Sequence, residues 1–370
     1  MKGGTRLRGE KYSYYFKYKD EFGKWRTKEK GGFDTKKAAE SALRKAIVEF
    51  EESGQMIQNT NYTLEEYIDY WFKNVGELKL KYRSVESYAE VARNHIIPDL
   101  GFLKLDKLTP VLMQKFFTQK QKILSDSRIN SIKNVLNNTL NLAVKQNIIT
   151  QNPMKSIVLS SNVRTRKEIR ALTLEDINLL ESELIGTKYY TPFLLALYTG
   201  ARRNEALGLT WDNVNFASNT ISIKQQLQMQ NKSLVLVEPK TRTSNRVLQM
   251  PQKLREALVE IKELQKQHRD YYGQHYLDEP DFVCCEEDGS PIPPTSITLK
   301  MNHLQRKLGV NFKFHDLRHT HAAMMLEANV NIKVLQERLG HSKIGTTLDV
   351  YGHVTKKLED EAIKKFDNFF

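Results

Sequence analysis

Cysteine is nearly absent from the chain: its 370 residues include two, Cys284 and Cys285, adjacent in sequence. Neighbouring cysteines cannot form an ordinary structural bridge, so no disulfide framework is expected, and a reducing cytoplasmic setting fits. No apolar run approaches the roughly 18 residues of a membrane span, and no secretory leader is read at the amino terminus. Neither secretion nor a membrane partner is expected. What the chain has in excess is positive charge: 57 Lys and Arg against 44 Asp and Glu, a net +13. That balance suits a polyanionic partner such as DNA, although acidic proteins and membrane surfaces also attract basic chains. The length allows two or three domains with ample core.

Two distant stretches carry chemistry-bearing side chains. His315-Asp316-Leu317-Arg318-His319-Thr320-His321 is followed by Leu339-Gly340-His341-Ser342 and then by Leu348-Asp349-Val350-Tyr351. On a helix His315 and Arg318 are i, i+3 neighbours and share a face. Gly340, after Val334–Leu339, reads as a helix stop that leaves His341 in the turn beyond. His315 and His319 at i, i+4 also admit a metal-pair reading. Against it, no Glu stands between them as in H-E-x-x-H, and no third ligand pattern follows. Far upstream, Thr199-Gly200-Ala201-Arg202-Arg203-Asn204-Glu205 places an arginine pair after a glycine, where a helix is expected to begin.

The order Thr-Gly-x-Arg-x-x-Glu, a Lys in a strand-rich segment, His-x-x-Arg, Leu-Gly-His and a Tyr ten residues on resembles the tyrosine recombinase (phage integrase) family. The likeness covers the second half of the chain. It implies that Arg202, Lys240, His315, Arg318, His341 and Tyr351 are the catalytic residues, with Tyr351 the nucleophile and no position departing from the pattern. Lys240, in Glu238-Pro239-Lys240-Thr241-Arg242, would be the hairpin lysine that protonates the 5′-oxygen; Arg242 is near enough to compete for that place. The implied activity is site-specific DNA recombination, integrating and excising a mobile element, phage or conjugative transposon.

The residue types suit that reaction. Breaking a phosphodiester needs a nucleophile, cations aimed at the non-bridging oxygens and an acid for the leaving oxygen. A phenol that forms a covalent 3′-phosphotyrosyl intermediate splits one hard step into two. Two guanidiniums can hold the phosphate bidentately where negative charge develops. No carboxylate cluster accompanies these residues, so a two-metal mechanism is not expected, nor any cofactor or ATP requirement.

The fold class expected is multidomain and mainly α with small β-sheets. Residues 1–45 carry 14 Lys and Arg against 6 Asp and Glu. Tyr12, Tyr14, Tyr15, Phe16 and Tyr18 read as a strand, Asp20–Gly23 as its turn and Lys24–Lys28 as a second strand. Phe33-Asp34-Thr35 supplies a strand end and a cap for a helix from about Lys36 to Glu52. A three-stranded sheet on one helix results over residues 1–55, with Lys17, Lys19, Lys24, Arg26 and Lys28 expected on its open face. It resembles the arm-binding domain of some integrases, and a solvated charged sheet is the plainer alternative. Gly54–Asn61 is a linker. Four amphipathic helices follow within residues 62–155: one capped by Thr63 and bearing Leu64, Tyr67, Ile68 and Trp71; one from about Ser84 to Ile97, ending before Pro98; one opened by Pro110; and one from about Ser127 to Gln146 with a stripe of Ile129, Ile132, Leu136, Leu140 and Val144. The resemblance makes this the core-binding domain, with Arg83 and Arg128 among its phosphate-contact candidates.

Residues 156–170 turn polar and basic, a linker whose Arg164 and Arg166 either follow the DNA backbone or merely tether. A mixed α/β catalytic domain is expected over 168–370, opened by Thr173 as a cap, with strands at 220–224, 234–237 and 246–248. It ends in a tail helix with Leu358, Ala362 and Phe366 at i, i+4 spacing, which packs on its own domain or on a neighbouring protomer. The resemblance implies double-stranded DNA with core and arm attachment sites as partner and a homo-tetramer on DNA, and it admits an excisionase and a host DNA-bending protein. Two other classes stay open at this point: a type IB topoisomerase-like relaxing enzyme, and a non-catalytic DNA-binding regulator.

Overall fold

Aromatic side chains at every second position organise the amino-terminal module. The structure, a computed structural model, describes residues 3–19, 25–53, 62–159, 171–239 and 244–340, which fall into two compact units, 1–164 and 165–370. Strands β1 (Gly3–Arg8), β2 (Lys11–Lys19) and β3 (Trp25–Phe33) form an antiparallel sheet in that order. Tyr14 and Phe16 of β2 are buried, and Phe16 and Tyr18 meet Phe50 of helix α1 (Lys36–Ser53). Two expectations are corrected here. One strand of the sheet is Gly3–Arg8, to which the sequence alone assigns nothing. Its glycines hide it, yet the first is required, because a Cβ on Gly3 would sit 2.7 Å from the Phe16 Cβ and from the Tyr15 carbonyl oxygen.

The second correction concerns the open face. Phe16 pairs with Lys28 and Tyr18 with Arg26, whereas Lys17 pairs with Thr27 and Lys19 with Trp25. Directly opposed residues share a face and successive residues alternate. Lys28 and Arg26 therefore stand on the α1 side and Lys17 on the other, so the expected cations do not form one row. Lys24 and the expected turn lie outside the described residues.

Residues 62–159 bring four helices onto one core. Helix α2 (Leu64–Trp71) is held by a capping box in which Thr63 Oγ1 accepts from Glu66 N–H and the Glu66 carboxylate accepts from Thr63 N–H. Leu64, Tyr67, Ile68 and Trp71 are all buried, as expected. Helix α3 (Tyr82–Val91) departs from expectation: helical backbone does not stop before Pro98 but passes through a π-turn at Ala92–Ile96 into Ile97–Leu100. In that turn the Ile97 N–H reaches the Ala92 carbonyl, five residues back. Pro98 then falls in a first turn, where a missing N–H leaves no bond unmade. Helix α4 (Pro110–Gln121) is capped by Thr109, and α5 (Asp126–Lys145) by Ser125. The buried stripe of α5 includes Val135 and Ala143; Val144 lies half-buried beside it. Tyr67 Oη donates to Gln146 Oε1 at 2.9 Å, tying α2 to the end of α5.

The second unit opens with α6 (Leu174–Leu184), whose Thr173–Asp176 capping box matches the expected start. Helix α7 (Tyr190–Thr199) is apolar on every side and correspondingly buried from Thr191 to Leu197. Gly200 ends it with φ 66°, and the short α8 (Arg203–Leu207) follows. Strands β4 (Val214–Asn215) and β5 (Thr220–Ile223) come next, then β6 (Gln226–Gln230) and β7 (Ser233–Val237), then β8 (Arg246–Gln249). The sheet order is β4-β5-β8, while β6 and β7 make a separate hairpin. Asn231 and Lys232 at its tip both have positive φ, the geometry that suits the twist of a two-residue turn. Residues 252–308, given no helix by sequence, form α9 (Gln252–Tyr272) and α10 (Pro294–Leu308). Helices α11 (Phe314–Glu327) and α12 (Ile332–Leu339) complete the described part, and Gly340 stops α12 at φ 66°, as expected. The fold is thus mainly helical with small antiparallel sheets. Among the described residues no helix is long and apolar enough to cross a membrane.

Candidate active site

The turn after α7 is built by close approach. A Cβ on Gly200 would meet Leu339 Cδ2 at 2.7 Å and His321 Cδ2 at 2.9 Å, so both the left-handed backbone and the space demand glycine. Arg202 then takes an extended backbone as the N-cap of α8, with Glu205 as the third residue of that helix. Glu205 Oε2 accepts from the Arg202 N–H at 3.0 Å, and Arg202 Nη1 donates to Glu205 Oε1 at 2.7 Å. The Arg-x-x-Glu spacing is therefore a helix start in which the N-cap residue is itself a guanidinium. Arg246 Nη2 donates to the second oxygen, Oε2, at 2.8 Å. Burial alone would raise the Glu205 carboxyl, but Arg246 and then Arg202 outweigh it and hold the group lowered and ionised.

Arg202 and His315 line one cleft of about 570 Å³, together with Arg203, Asn204, Gln226 and Lys313. Arg203, the second member of the arginine pair, is tied to α10 through Nη1 to Thr298 Oγ1 at 2.6 Å. His315 stands in the first turn of α11 and packs edge-on against His319, with ring centroids 4.9 Å apart. Desolvation, then the His319 ring and the Arg318 and Arg202 guanidiniums, push the His315 imidazole below its ordinary value. The side chain keeps an exposed edge that tempers the effect, and the ring is neutral at neutral pH. Desolvation lowers His319 as well. Among the described residues no three His, Cys, Asp or Glu side chains converge as a metal would need.

Arg318 is placed differently from Arg202. It is buried, 2% exposed, and its Nη1 and Nη2 donate to the carbonyls of Gly200 and Leu339, each at 2.6 Å. One turn further along α11, His321 is also buried. Arg338 Nε donates to His321 Nε2 at 3.1 Å, which leaves Nδ1 to carry the proton and donate to the Leu197 carbonyl at 2.8 Å. Lys240, its rival Arg242, His341 and Tyr351 lie outside the described residues. So do Arg164, Arg166 and the tail helix.

Of the DNA-contact candidates, Lys17 and Arg26 are exposed on opposite faces of the sheet, Lys28 is half-buried, and Arg83 is exposed at the start of α3. Arg128 is half-buried beside Glu90, with Nη1 to Oε1 at 3.4 Å. Three residues of the network escape sequence reasoning. Glu205 stands inside a quoted motif, but its role shows only once α8 is seen to start at Arg203. Arg246 and Arg338 lie 41 and 133 residues from Glu205 along the chain and carry no local signal.

The sequence model of the phage integrase family matches residues 166–357, slightly more than half of the chain. The chain belongs to the phage integrase family. Its amino-terminal half is matched by the phage integrase N-terminal SAM-like domain over residues 63–121 and by the arm DNA-binding domain over 5–50. As a family member the chain is a tyrosine-type recombinase, an enzyme of site-specific DNA recombination. Similar integrases include a tyrosine recombinase XerC-like protein of Caldanaerobacter subterraneus subsp. tengcongensis, 28% identical and covering 95% of this chain and 94% of that one. The ICEBs1 integrase of Bacillus subtilis is 24% identical over 87% and 80%. Among solved structures, the Tn1549 transposon integrase in complex with transposon right end DNA superposes with a TM-score of 0.68 at 22% identity, covering 82% of this integrase and 99% of that chain. A lambda integrase dimer bound to a core site gives 0.59 at 16%, over 94% and 95%.

Proposed function

We propose that this integrase acts in the cytoplasm on the double-stranded DNA of a mobile element, cutting and rejoining it through Tyr351. The Tyr351 phenol gives its proton to a base of the pocket as its oxygen attacks the scissile phosphorus, forming a 3′-phosphotyrosyl bond while the phosphorus–oxygen bond to the 5′ side breaks. Lys240 gives its proton to the departing oxygen, which leaves as a 5′-hydroxyl. A 5′-hydroxyl from the second duplex then attacks the phosphotyrosyl link and releases the phenol, so the bond energy is conserved and ATP is not consumed. Arg202 faces the phosphate from the cleft, His315 and His341 hydrogen-bond around it, and Arg318 adds a second fixed positive charge from behind the Gly200 turn. Charge placed where negative charge develops contributes roughly 10²–10³ in rate per donor in comparable sites.

The observation that carries this reading is the Arg202–His315 cleft, in a chain where Leu-Gly-His and a Tyr follow in family order. The same reading divides the chain into an arm-type DNA-binding domain at 1–55, a core-binding domain at 62–155 and a catalytic domain at 168–370. It takes arm contacts from Lys17, Lys19, Lys24, Arg26 and Lys28, and backbone contacts from Arg83, Arg128, Arg164 and Arg166. The working assembly is a homo-tetramer on paired core sites, supported by the lambda integrase tetramer bound to a Holliday junction. An excisionase and a host DNA-bending protein fit as direction-setting partners, and the tail docks on a neighbouring protomer.

The test is a denaturing gel of the protein with labelled DNA from the junctions flanking its gene, nicked to trap intermediates and without added metal. A slow-migrating adduct on the 3′ side of the break, formed by the wild type and absent for Tyr351→Phe, is the expected result. Cleavage that needs a divalent metal and survives Tyr351→Phe would overturn the reading.

A further inference from the structure

Arg246 is not among the residues that line the cleft, yet each of its three guanidinium nitrogens is committed to a neighbouring element. Nη2 donates to Glu205 Oε2 at 2.8 Å, Nε to the Arg338 carbonyl at 2.7 Å and Nη1 to the Ser244 carbonyl at 3.0 Å. The Glu205 carboxylate is nearly sealed, 3% exposed, and Arg246 is 6% exposed, whereas the Arg202 side chain on the other carboxylate oxygen is 37% exposed. The arrangement is a lever with one buried end and one open end. Arg338 answers from the other side: its Nη2 donates to the Tyr198 carbonyl at 3.0 Å and, more weakly, to the Gln249 carbonyl at 3.3 Å. β8 and the last turn of α12 are thus clasped twice, once by each arginine.

We propose that Arg246 is a positioning residue for strand cleavage: through the shared Glu205 carboxylate it aims the Arg202 guanidinium into the cleft, and through the Arg338 carbonyl it fixes the end of α12 against β8. This rests on the functional reading above. Without Arg246, Glu205 Oε2 keeps only the Arg202 backbone N–H, both carboxylate oxygens then answer to Arg202, and the carboxylate follows that residue rather than holding it. A lysine supplies the charge but only one donor centre, which cannot span Glu205, Ser244 and Arg338 together.

The experiment uses the full chain and nicked junction DNA carrying either the natural phosphodiester or a charge-neutral methylphosphonate at the cleavage position. Rates of covalent adduct formation at saturating DNA are measured for wild type, Arg246→Met, Arg246→Lys, Arg202→Ala and the double variants. Arg246→Met is expected to be about 10²-fold slower on the phosphodiester, with DNA affinity held within about twofold. Because the defect is one of aiming charge at charge, the ratio of wild-type to variant rates should shrink to a few-fold on the methylphosphonate. In the Arg202→Ala background, adding Arg246→Met should slow the reaction no further. Arg246→Lys, which keeps a cation beside Glu205 and so protects folding, should show a smaller loss with the same dependence on linkage. An equal ratio on both linkages, or a full additional loss in the Arg202→Ala background, would overturn the proposal while leaving the functional reading in place. No adduct from the wild type on the phosphodiester would overturn both.

Discussion

Among the described residues the same constellation, one glutamate between two arginines, occurs twice and does opposite work. In the amino-terminal sheet Glu29 of β3 accepts from Arg6 and Arg8 of β1, across the intervening β2, with the carboxylate 28% exposed and the two guanidinium side chains 44% and 64% exposed. In the catalytic unit Glu205 lies between Arg202 and Arg246 and is 3% exposed. Both carboxyls are held below their ordinary values. Water stands ready to replace any lost partner at Glu29, and nothing replaces one at Glu205. A buried ion pair is therefore poor evidence of stability for its own sake, but its loss is severe, because the surviving charge is stranded. The geometry fits a site where rigidity is the product: a carboxylate that cannot move gives Arg202 a fixed bearing.

The largest effect is expected from Glu205→Ala. It strands Arg246 in the interior and should destabilise the chain by roughly 3–5 kcal/mol. For a unit of this size that lowers the midpoint of thermal unfolding by roughly 6–20 °C, readable by calorimetry. A loss no larger than that of an exposed pair would mean that water reaches Glu205 and that the contrast drawn here is wrong.

The two arginines expected to hold the phosphate should then separate. Arg318→Ala leaves the Gly200 and Leu339 carbonyls buried without their charged donor, a loss of about 3 kcal/mol or more. Arg202→Ala removes a side chain that is over a third exposed and should change stability by about 1 kcal/mol or less, while cutting adduct formation by at least roughly 10²-fold. Paired melting curves and single-turnover cleavage rates check this. Equal destabilisation by both substitutions would put Arg202 in the same structural class as Arg318.

A smaller effect follows from His321. Burial, then the Arg338 charge, pushes its imidazole down to about 4. An unfolded chain takes up a proton there near the ordinary value of about 6.5, and the native state does not. Above that value the two states bind protons alike. As the pH falls from about 6.5 toward 4, the unfolded state gains and stability drops, by at most about 1.4 kcal/mol per pH unit for one group. His321→Gln, which can still accept from Arg338 and donate to the Leu197 carbonyl, should flatten that slope in urea midpoints measured between pH 7 and 4.5.

These contrasts show why part of the molecule was legible in its sequence. Local rules reached the capped starts at Thr63 and Thr173, the stop at Gly340 and the stripes of α2 and α5, because each depends on residues within a turn or two. Arg202 and His315 were legible as members of a motif. What stayed hidden depends on register or on long-range pairing. The sum of paired positions in β2 and β3 sends Arg26 and Lys28 to one face and Lys17 to the other, and no composition reveals that sum. β1 was masked by its glycines, of which close approach requires Gly3, and the passage through Pro98 by a π-turn that has no sequence signature. The bond from Arg246 to Glu205 spans 41 residues and that to the Arg338 carbonyl spans 92.

The smallest effect belongs to Glu29, where the comparison can be made sharpest. A hydrogen bond from Arg6, then one from the Ser13 hydroxyl, holds the Glu29 carboxyl at about 2. Its contribution is therefore present above the ordinary carboxylate value and is lost as the pH falls from about 4.5 toward 2. Exposure to solvent makes the contribution small at neutral pH and sensitive to salt. Glu29→Gln should accelerate amide hydrogen exchange in β2 and β3 only slightly in dilute buffer. In about 1 M salt, where screening acts within roughly 3 Å, the difference from wild type should vanish. The deficit of Glu205→Ala should persist at the same ionic strength, since no counterion reaches a carboxylate sealed between α8 and β8. If salt erased both deficits alike, burial would not be what distinguishes the two triads, and the rigidity assigned to Glu205 would have to come from the covalent frame around it.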